Sequence, residues 1–295
     1  MKNSTIHLVA LLGSLLAGCG GGNASRGVDP VGPAQMVPDV VDMLRALYNE
    51  GDPSELRALA VSDLPHFSSR IGDGVDAWVE FAASVDDSQP LVAIHRTVAE
   101  GNTIGVHAQY SWNAEREFDG GPGVVVAHVF TVESGKIVSA IELTQPIQAE
   151  TASGNDMFSS RRPLVPQDDP ERSRATVERI LTEFLPGDTS LKSVLLGDYV
   201  QHNPLIPDGA DGIAGFVESI GGAKNEYRWT IVEGGLAWSF TRYRANPSIG
   251  VPALVTVDIW KFDASGRVAE HWDVLEPDFT SPGGHTFEGL IGPRR

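Results

Sequence analysis

The feature that most limits the possible folds is an internal repeat of a strand–turn–strand pattern. Residues 255–277 read VTVDIWKFDASGRVAEHWDVLEP, and residues 124–146 read VVVAHVFTVESGKIVSAIELTQP. With one residue fewer in the earlier turn, Gly135 aligns with Gly266 and His128 aligns with Asp258. Alternating residues on both sides of a short turn predict paired antiparallel strands. We therefore expect a chain that builds one structural unit twice.

The same order of elements surrounds both copies. Helical spacing predicts a helix opening at Pro38, a second from Ser54 and a third after Gly74, and a later series opening at Pro170, over Ser190–Tyr199 and over Gly212–Ile220. Alternation predicts strands near 91–99, 103–113, 123–132 and 136–145, and again near 226–233, 236–245, 252–262 and 266–276. Helices followed by a run of strands indicate an α+β fold with an antiparallel sheet.

The N-terminus predicts export and lipid attachment. Lys2 precedes an apolar run that is too short to span a membrane and is typical of a signal peptide over residues 1–18. The run ends in Leu-Ala-Gly-Cys, which resembles the bacterial lipobox, so we expect a lipid on Cys19; a plain signal peptide is the alternative. The predicted location is the cell envelope, at the outer membrane or the periplasmic face, with the membrane as a partner through the lipid.

The predicted domains follow from the repeat. Two units of ordinary size can each bury their own core. We expect them to pair with each other. The boundaries are a lipidated tether at 19–37, a first domain at 38–160, a linker at 161–169 and a second domain at 170–295.

The formal charge of −17 limits the partners and the chemistry. Binding to nucleic acid needs basic patches because the phosphates are anionic, so we expect no nucleic-acid partner. The single cysteine excludes disulfides within one chain. The sequence contains no phosphate-binding glycine loop, no Gly-x-Ser-x-Gly elbow and no paired-cysteine metal motif, and we expect neither a cofactor nor a metal.

The second half carries three motifs that resemble one family. They are Asp-Tyr-Val-Gln-His-Asn-Pro at 198–204, Val-Asp-Ile-Trp-Lys-Phe at 257–262 and Glu-His-Trp-Asp-Val at 270–274. Together they resemble the SnoaL-like, polyketide cyclase-like branch of the NTF2-like superfamily, more closely in the second half than in the first. The resemblance implies an α+β fold of two tandem cone-shaped domains, each a curved antiparallel sheet with about three helices packed on it.

The resemblance also implies a site. Asp258 stands where the family's cyclases and isomerases carry an inward-facing acid, and an aspartate in an apolar cavity has a raised pKa. Such an acid can protonate the oxygen of a forming enolate while a base removes the proton beside the carbonyl. His202 or His271 could be that base. The other residues expected to line the pocket in this half are Tyr199, Trp260 and Asp273.

Less specific interpretations stay open for two of these residues. Asp258 could be a buried acid that is satisfied by Tyr199, Trp229 or a backbone N–H. His202 precedes Asn-Pro in the sequence and could only brace the turn before the next helix. Neither residue would then take part in a reaction.

The last strand also leaves a choice between its two faces. His271 and Asp273 share one face, and Trp272 and Val274 share the other. Only one pair can meet the cavity, and alternation alone does not say which. If Trp272 pointed into the cavity, His271 and Asp273 would be surface residues.

The first half departs from the motifs. His128 stands at the position of Asp258, and His66 can be aligned with His202 by one gap. Together with His107 these histidines could line a second, different pocket or bind zinc. Alternatively, the first half is a degenerate copy that packs against the second.

Two functions therefore need to be distinguished. The first is an enzyme that carries out aldol-type cyclisation or isomerisation of a small apolar carbonyl compound, with Asp258 as the acid. The second is a non-catalytic ligand-binding or envelope-associated lipoprotein built as a pseudo-symmetric pair. A buried Asp258 that faces a pocket, with a histidine within hydrogen-bonding reach, would favour the enzyme.

Overall fold

Each half of the chain builds one sheet with helices on one of its faces. The computed structural model describes residues 32–85, 91–111, 123–247, 250–287 and 289. The predicted signal peptide and Cys19 lie outside the described residues. The described residues form one compact unit, and no helix among them is long and apolar enough to cross a membrane.

The helices and strands of the two halves follow one another in the same order. The first half contains α1 (Pro33–Arg45, continued by a π-helical turn at Ala46–Glu50), α2 (Ser54–Leu59), β1 (His66–Phe67), α3 (Val75–Ser84), β2 (Leu91–Glu100), β3 (Thr103–Ser111), β4 (Gly123–Glu133) and β5 (Lys136–Pro146). The second half contains α4 (Pro170–Arg179, continued by a π-helical turn at Ile180–Phe184), a 3₁₀ helix (Thr189–Val194), β6 (Leu195–Gln201), α5 (Ala210–Ser219), β7 (Asn225–Glu233), β8 (Leu236–Tyr243), β9 (Leu254–Phe262) and β10 (Val268–Pro277).

The two five-stranded sheets have equivalent strand orders, β1-β5-β4-β3-β2 and β6-β10-β9-β8-β7. The short first strand of each sheet runs parallel to its neighbour, and the other neighbours are antiparallel. Asp258 lies directly opposite Asp273, and His128 lies directly opposite Glu142. These equal registers confirm that His128 occupies the position of Asp258.

The first helix starts earlier than the sequence predicts. It begins at Pro33, so Pro38 lies inside it and residues 33–37 of the predicted tether are helical. Pro38 has no N–H for one helical hydrogen bond. Met36 and Val40 on either side of it are buried, and this burial offsets the missing bond.

The predicted helix over Ser190–Tyr199 is wrong. A short 3₁₀ helix occupies Thr189–Val194, and strand β6 follows it directly. β6 pairs in parallel with β10, with Gln201 opposite His271. This pairing with a strand far along the chain outweighs the local preference for helix. The described residues of the second half therefore form fewer α-helices than the predicted three.

The two sheets pack face to face, with the helices on the outer face of each. One apolar cluster lies between the first sheet and its helices, and another lies between the second sheet and its helices. A third cluster joins the sheets and includes Val98 and Val129 from the first sheet and Trp238, Val257 and Trp272 from the second. Strands buried on both faces read as nearly continuous apolar runs, as β4 does.

Two pairs of hydrogen bonds join the halves, and in each pair both halves donate one bond. The N–H of Ala99 donates to Glu233 Oε2 at 2.7 Å, and the N–H of its counterpart Val232 donates to Glu100 Oε2 at 2.9 Å. These carboxylates satisfy N–H groups on edge strands that would otherwise lack a partner. A second exchange, at 3.0 Å in both directions, joins Thr144 to Glu276 and Leu275 to Gln145.

The segment that follows each sheet crosses to the other half. Asn155 Nδ2 donates to Asp208 Oδ1 at 2.8 Å, and His285 Nε2 lies 3.0 Å from Asp73 Oδ1. Asp73 and Asp208 are equivalent residues, since Asp73 accepts from the backbone N–H of His66 in β1 and Asp208 accepts from that of Gln201 in β6. The halves are therefore related by a local pseudo-twofold axis.

One pair of residues breaks this symmetry. Gly105 and Trp238 are equivalent, because they lie opposite the equivalent residues Val98 and Ile231. The Trp238 ring is fully buried between the sheets. A Cβ atom added to Gly105 would lie 2.7 Å from that ring, so the glycine leaves the space that the tryptophan fills.

Candidate active site

A largely apolar cavity lies in the second half, between the sheet and helix α5. Its volume of about 480 Å³ is within the range of small-molecule sites. Exposed Leu205 and Lys224 are among its lining residues and mark its opening. Its apolar walls include Leu185, Ile206, Ile213, Phe216 and Val217.

Three ionisable side chains meet at the buried end of this cavity. Asp258 projects from β9, and His271 and Asp273 project from β10. The Oδ1 atom of Asp258 lies 3.3 Å from Nε2 of His271. The face of β10 that carries His271 and Asp273 therefore meets the cavity, whereas Trp272 and Val274 lie between the sheets. Both faces are buried, so neither pair is on the surface.

Each carboxylate at this end has one oxygen with a hydrogen bond and one oxygen without a partner among the described residues. Asn203 Nδ2 donates to Asp273 Oδ2 at 2.7 Å. Within the described part of the chain, Asp258 Oδ2 and Asp273 Oδ1 have no hydrogen-bond partner. Oδ1 of Asp258 hydrogen-bonds to His271, which was not among the partners that the alternative interpretation expected. Both residues line the cavity, and protein atoms almost completely enclose these two oxygens.

Burial raises the pKa values of the two acids and lowers the pKa of the histidine. It raises the pKa of Asp258 to about 8, because the charged form loses its hydration. It also raises the pKa of Asp273 to about 6, with repulsion from Asp258 adding to the rise. The same desolvation lowers the pKa of His271 to about 4. At neutral pH Asp258 therefore holds a proton and His271 is neutral, so the pair offers one acid and one base.

Aromatic rings hold the histidine in place. The Trp260 ring lies 4.0 Å from the His271 ring between centroids, and its Nε1 donates to Ser239 Oγ at 2.9 Å. Tyr199 stacks at 6.5 Å from His271. Trp260 lines the cavity, whereas Tyr199 lies behind His271 and supports it.

His202 lies on the other side of the sheet from the cavity. Its Nε2 is 2.9 Å from Glu270 Oε1, and its ring stacks on Trp272 at 4.9 Å between centroids. Successive strand residues point to opposite faces, and Gln201 takes the cavity side. The prediction that His202 could be the base beside Asp258 is therefore not met by the geometry.

In the first half a tryptophan side chain enters the space equivalent to the cavity. Trp78 is fully buried and takes the position of Ile213 in the second half. Its ring lies 4.7 Å from that of His66 and 6.0 Å from that of His128. Burial lowers the pKa of each of these histidines to about 3. Both are therefore neutral residues of the buried core.

The predicted alignment of His66 with His202 is wrong by one residue. His66 lies opposite Ala140, just as Gln201 lies opposite His271. His66 therefore corresponds to Gln201. The sequence alignment needs a gap near His66, and the gap can be placed on either side of this residue. Only the strand register shows that His66 pairs with Gln201 and not with His202.

The predicted cluster of His66, His107 and His128 does not form. His107 points between the two sheets, where its Nδ1 contacts the guanidinium group of Arg96. His128 points to the helices and hydrogen-bonds to Tyr110 Oη at 2.5 Å. The sheet therefore separates His107 from the other two histidines.

Among the described residues, Asp258, His271 and Asp273 form a set that could also hold a divalent cation. Their candidate ligand atoms all lie within 4.8 Å of one another. Two carboxylates and a neutral imidazole suit zinc and similar metals. The sequence predicts all three residues at the site but no metal, because they lie on two strands and show no metal-ligand spacing on one element.

Three further residues of the site were missed by the sequence interpretation. Asn203 orients Asp273, Gln201 contacts Nδ1 of His271 at 3.0 Å, and Tyr243 lines the cavity. Gln201 and Asn203 lie on either side of His202, which was the candidate base in the motif at 198–204. Alternation from Tyr199 would have placed Gln201 on the cavity side.

No protein-family model and no curated protein matches the chain. Solved structures resemble a part of it about as long as one half. TsrD from Streptomyces laurentii is 18% identical over 37% of this chain and 87% of its own, with a TM-score of 0.33. IdmH, a candidate polyketide cyclase from Streptomyces antibioticus, is 17% identical over 37% and 91%, with a TM-score of 0.32. A candidate SnoaL-like polyketide cyclase from Jannaschia sp. CCS1 is 18% identical over 37% and 86%, with a TM-score of 0.30.

Proposed function

We propose that the second half is an acid–base enzyme that moves a proton on a small, largely apolar carbonyl compound, in an aldol-type cyclisation or an isomerisation. The observation that carries this proposal is the contact of 3.3 Å between Asp258 and His271 at the buried end of an apolar cavity. An acid and a base held next to each other in a desolvated site are what such proton transfers require.

The roles of the residues follow from their protonation states. Neutral His271 takes the proton from the carbon beside the carbonyl through Nε2. Asp258 hydrogen-bonds or gives its proton to the carbonyl oxygen, where the negative charge develops. Asp273 stabilises the imidazolium that forms. In an isomerisation, the imidazolium returns its proton to another carbon, and the enol oxygen gives its proton back to Asp258 as the carbonyl re-forms. In a cyclisation, the enolate carbon attacks a second carbonyl carbon, the C=O π bond opens to an alkoxide, and that alkoxide takes the proton from the imidazolium.

Deuterium exchange tests the proposal without knowledge of the natural substrate. The protein is incubated in D₂O with a panel of small cyclic ketones, and exchange at the carbon beside the carbonyl is followed by NMR. We expect Asp258→Asn and His271→Gln each to slow the exchange by about 10²- to 10⁴-fold, the usual contribution of a general acid or base. A chelator and added Zn²⁺ are included as separate arms.

The matched control is Asp211→Asn, because the Asp211 side chain is 89% exposed on helix α5 and pairs only with Lys192 in the salt bridges described. It should exchange at the wild-type rate. Equal rates in all four proteins would contradict the proposal. Tight ligand binding without exchange would favour a non-catalytic binding protein. Activity that the chelator abolishes and Zn²⁺ restores would show that a cation performs the role given to the Asp258 proton.

We also propose, on the N-terminal sequence alone, that the chain is exported and anchored to a membrane by a lipid on Cys19. The Leu-Ala-Gly-Cys segment after a short apolar run supports this. In a bacterial host that is fed a labelled fatty acid, the wild-type chain should take up label and enter the membrane fraction. The Cys19→Ser chain should do neither. Label on both chains, or on neither, would contradict the proposal.

A further inference from the structure

We infer that Gln201 is the positioning residue that fixes which nitrogen of His271 can accept a proton from the ligand. The inference rests on the proposed function, because the orientation matters only if His271 is the base. It assigns a role to a residue that touches neither the reacting atoms nor the solvent: Gln201 is completely buried.

The orientation of the Gln201 amide is determined by its neighbours. Its Oε1 accepts the backbone N–H groups of His202 and Asn203, each at 2.9 Å. Its Nε2 donates to Tyr199 Oη at 3.0 Å. A flipped amide would place its NH₂ group against two N–H donors, so the oxygen has to be on this side.

This orientation determines the tautomer of His271. Nδ1 of His271 lies 3.0 Å from Gln201 Oε1, which can only accept. Nδ1 must therefore carry the proton of the neutral ring, and Nε2 keeps its lone pair. Nε2 is the atom that faces Asp258 at the cavity. In the ligand-free protein the hydrogen bond between them is then donated by Asp258, which agrees with an acid that holds its proton. For the proposed reaction, the carbonyl oxygen of the substrate has to replace Nε2 as the acceptor of this hydrogen bond, which frees the Nε2 lone pair.

The first half offers an internal comparison for this pairing. The position of His271 is occupied there by Ala140, and the position of Gln201 is occupied by His66. Glutamine is therefore absent in the copy that has no histidine to orient. In that copy neither nitrogen of His66 has a hydrogen-bond partner among the described residues.

The tautomer can be measured directly on the ligand-free full chain. Long-range ¹H–¹⁵N correlation spectra distinguish Nδ1–H from Nε2–H imidazole, and His271→Gln identifies the signals of His271. We expect the Nδ1–H form to be the only form detected in the wild type at neutral pH. Detection of the Nε2–H form as the main species would overturn the inference.

Two variants separate positioning from simple structural support. Gln201→Met removes the acceptor, so the Nε2–H form of His271, which free histidine prefers, should rise from undetected to the main species. Gln201→Glu keeps the acceptor oxygen and should keep the Nδ1–H form, even if Gln201→Met does not fold. Asn203→Leu is the matched control, since it removes the neighbouring contact to Asp273 and should leave the His271 tautomer unchanged. An Nε2–H signal in Gln201→Glu would count against the inference.

The two proposals can fail separately. The tautomer is read without substrate, whereas the ketone exchange assay tests the reaction. A wild-type protein that exchanges ketone protons but shows His271 as Nε2–H overturns the role of Gln201 and leaves the enzyme in place. A protein with the expected tautomer and no exchange activity overturns the proposed reaction, and with it the catalytic purpose of the positioning.

Discussion

Replacing Asp258 with asparagine should make the protein more stable, and the gain should grow as the pH rises from about 4 to about 8. In the folded protein the Asp258 carboxyl keeps its proton up to a pKa of about 8, whereas the ordinary value is 3.8. Between these two values the unfolded chain releases a proton that the folded chain holds. The stability of the wild type therefore falls as the pH rises through this window. Asparagine never ionises and escapes this loss.

The size of the effect can be bounded. One pKa unit corresponds to about 1.4 kcal/mol, so the difference between 3.8 and about 8 would lower the free energy of unfolding of the wild type by roughly 6 kcal/mol. Water that enters the cavity will reduce it, and we expect a measured gain of about 1–3 kcal/mol at pH 8, by the same linkage. The asparagine amide can still donate to Nε2 of His271, so the variant keeps the hydrogen bond. A residue that weakens the fold while it ionises is typical of an active site.

Urea unfolding at about pH 5 and pH 8 measures this prediction. Asp211→Asn is again the control, and its free energy of unfolding relative to the wild type should not change between the two pH values. An Asp258→Asn protein that is less stable than the wild type at pH 8 would contradict the proposed protonated acid. If added Zn²⁺ then stabilised only the wild type, a bound cation would be the explanation.

Replacing Gly105 with valine should cost about 3 kcal/mol of stability, near the upper end for overpacked cores. A Cβ at this position would lie 2.7 Å from the Trp238 ring and 2.9 Å from Val98 Cγ1. Trp238 is fully buried between the sheets, so its ring has no open space to move into. The valine methyl groups would add to the overlap.

The control for this prediction is Gly197→Ala, since no atom lies within 4 Å of a Cβ added there. Its free energy of unfolding should stay within about 0.5 kcal/mol of the wild type, as for most surface changes. Combining Gly105→Val with Trp238→Leu should cost less than the sum of the two single changes, because the smaller side chain makes room for valine. Additive costs would show that the Trp238 contact is not what excludes a side chain at 105.

The parts of the fold that follow from local pattern could be predicted. Val177, Ile180, Leu181 and Phe184 recur at helical spacing and are all buried on helix α4 and its π-helical continuation. Alternation on β9 placed Trp260 and Phe262 on one face, and both pack under the helices, whereas Val257 and Ile259 pack between the sheets. The position of Asp258 facing a pocket followed from the same alternation and the family resemblance.

The parts that depend on distant pairing could not be predicted. Strand β6 forms because β10 offers it a parallel partner, and the local sequence of Leu195–Gln201 does not contain that information. Without this strand register, the sequence places His202 at the cavity, where the structure has Gln201. Adjacent residues of a strand point to opposite faces, so an error of one residue changes which side chain meets the cavity. In the first half, Trp78 packs against His66 and His128 in the space equivalent to the cavity. Local sequence patterns do not show how these side-chain volumes fit together.

The unequal pair at the interface has a consequence for how this protein could evolve. In a dimer of identical subunits, the two residues that meet at the axis are always the same, so Gly105 facing Trp238 has no counterpart there. Two glycines would leave a void, and two tryptophans would collide. Joining the copies in one polypeptide keeps each partner at high effective concentration and frees the two sequences from one another. One copy can then accumulate changes that close its interior while the other keeps an open pocket.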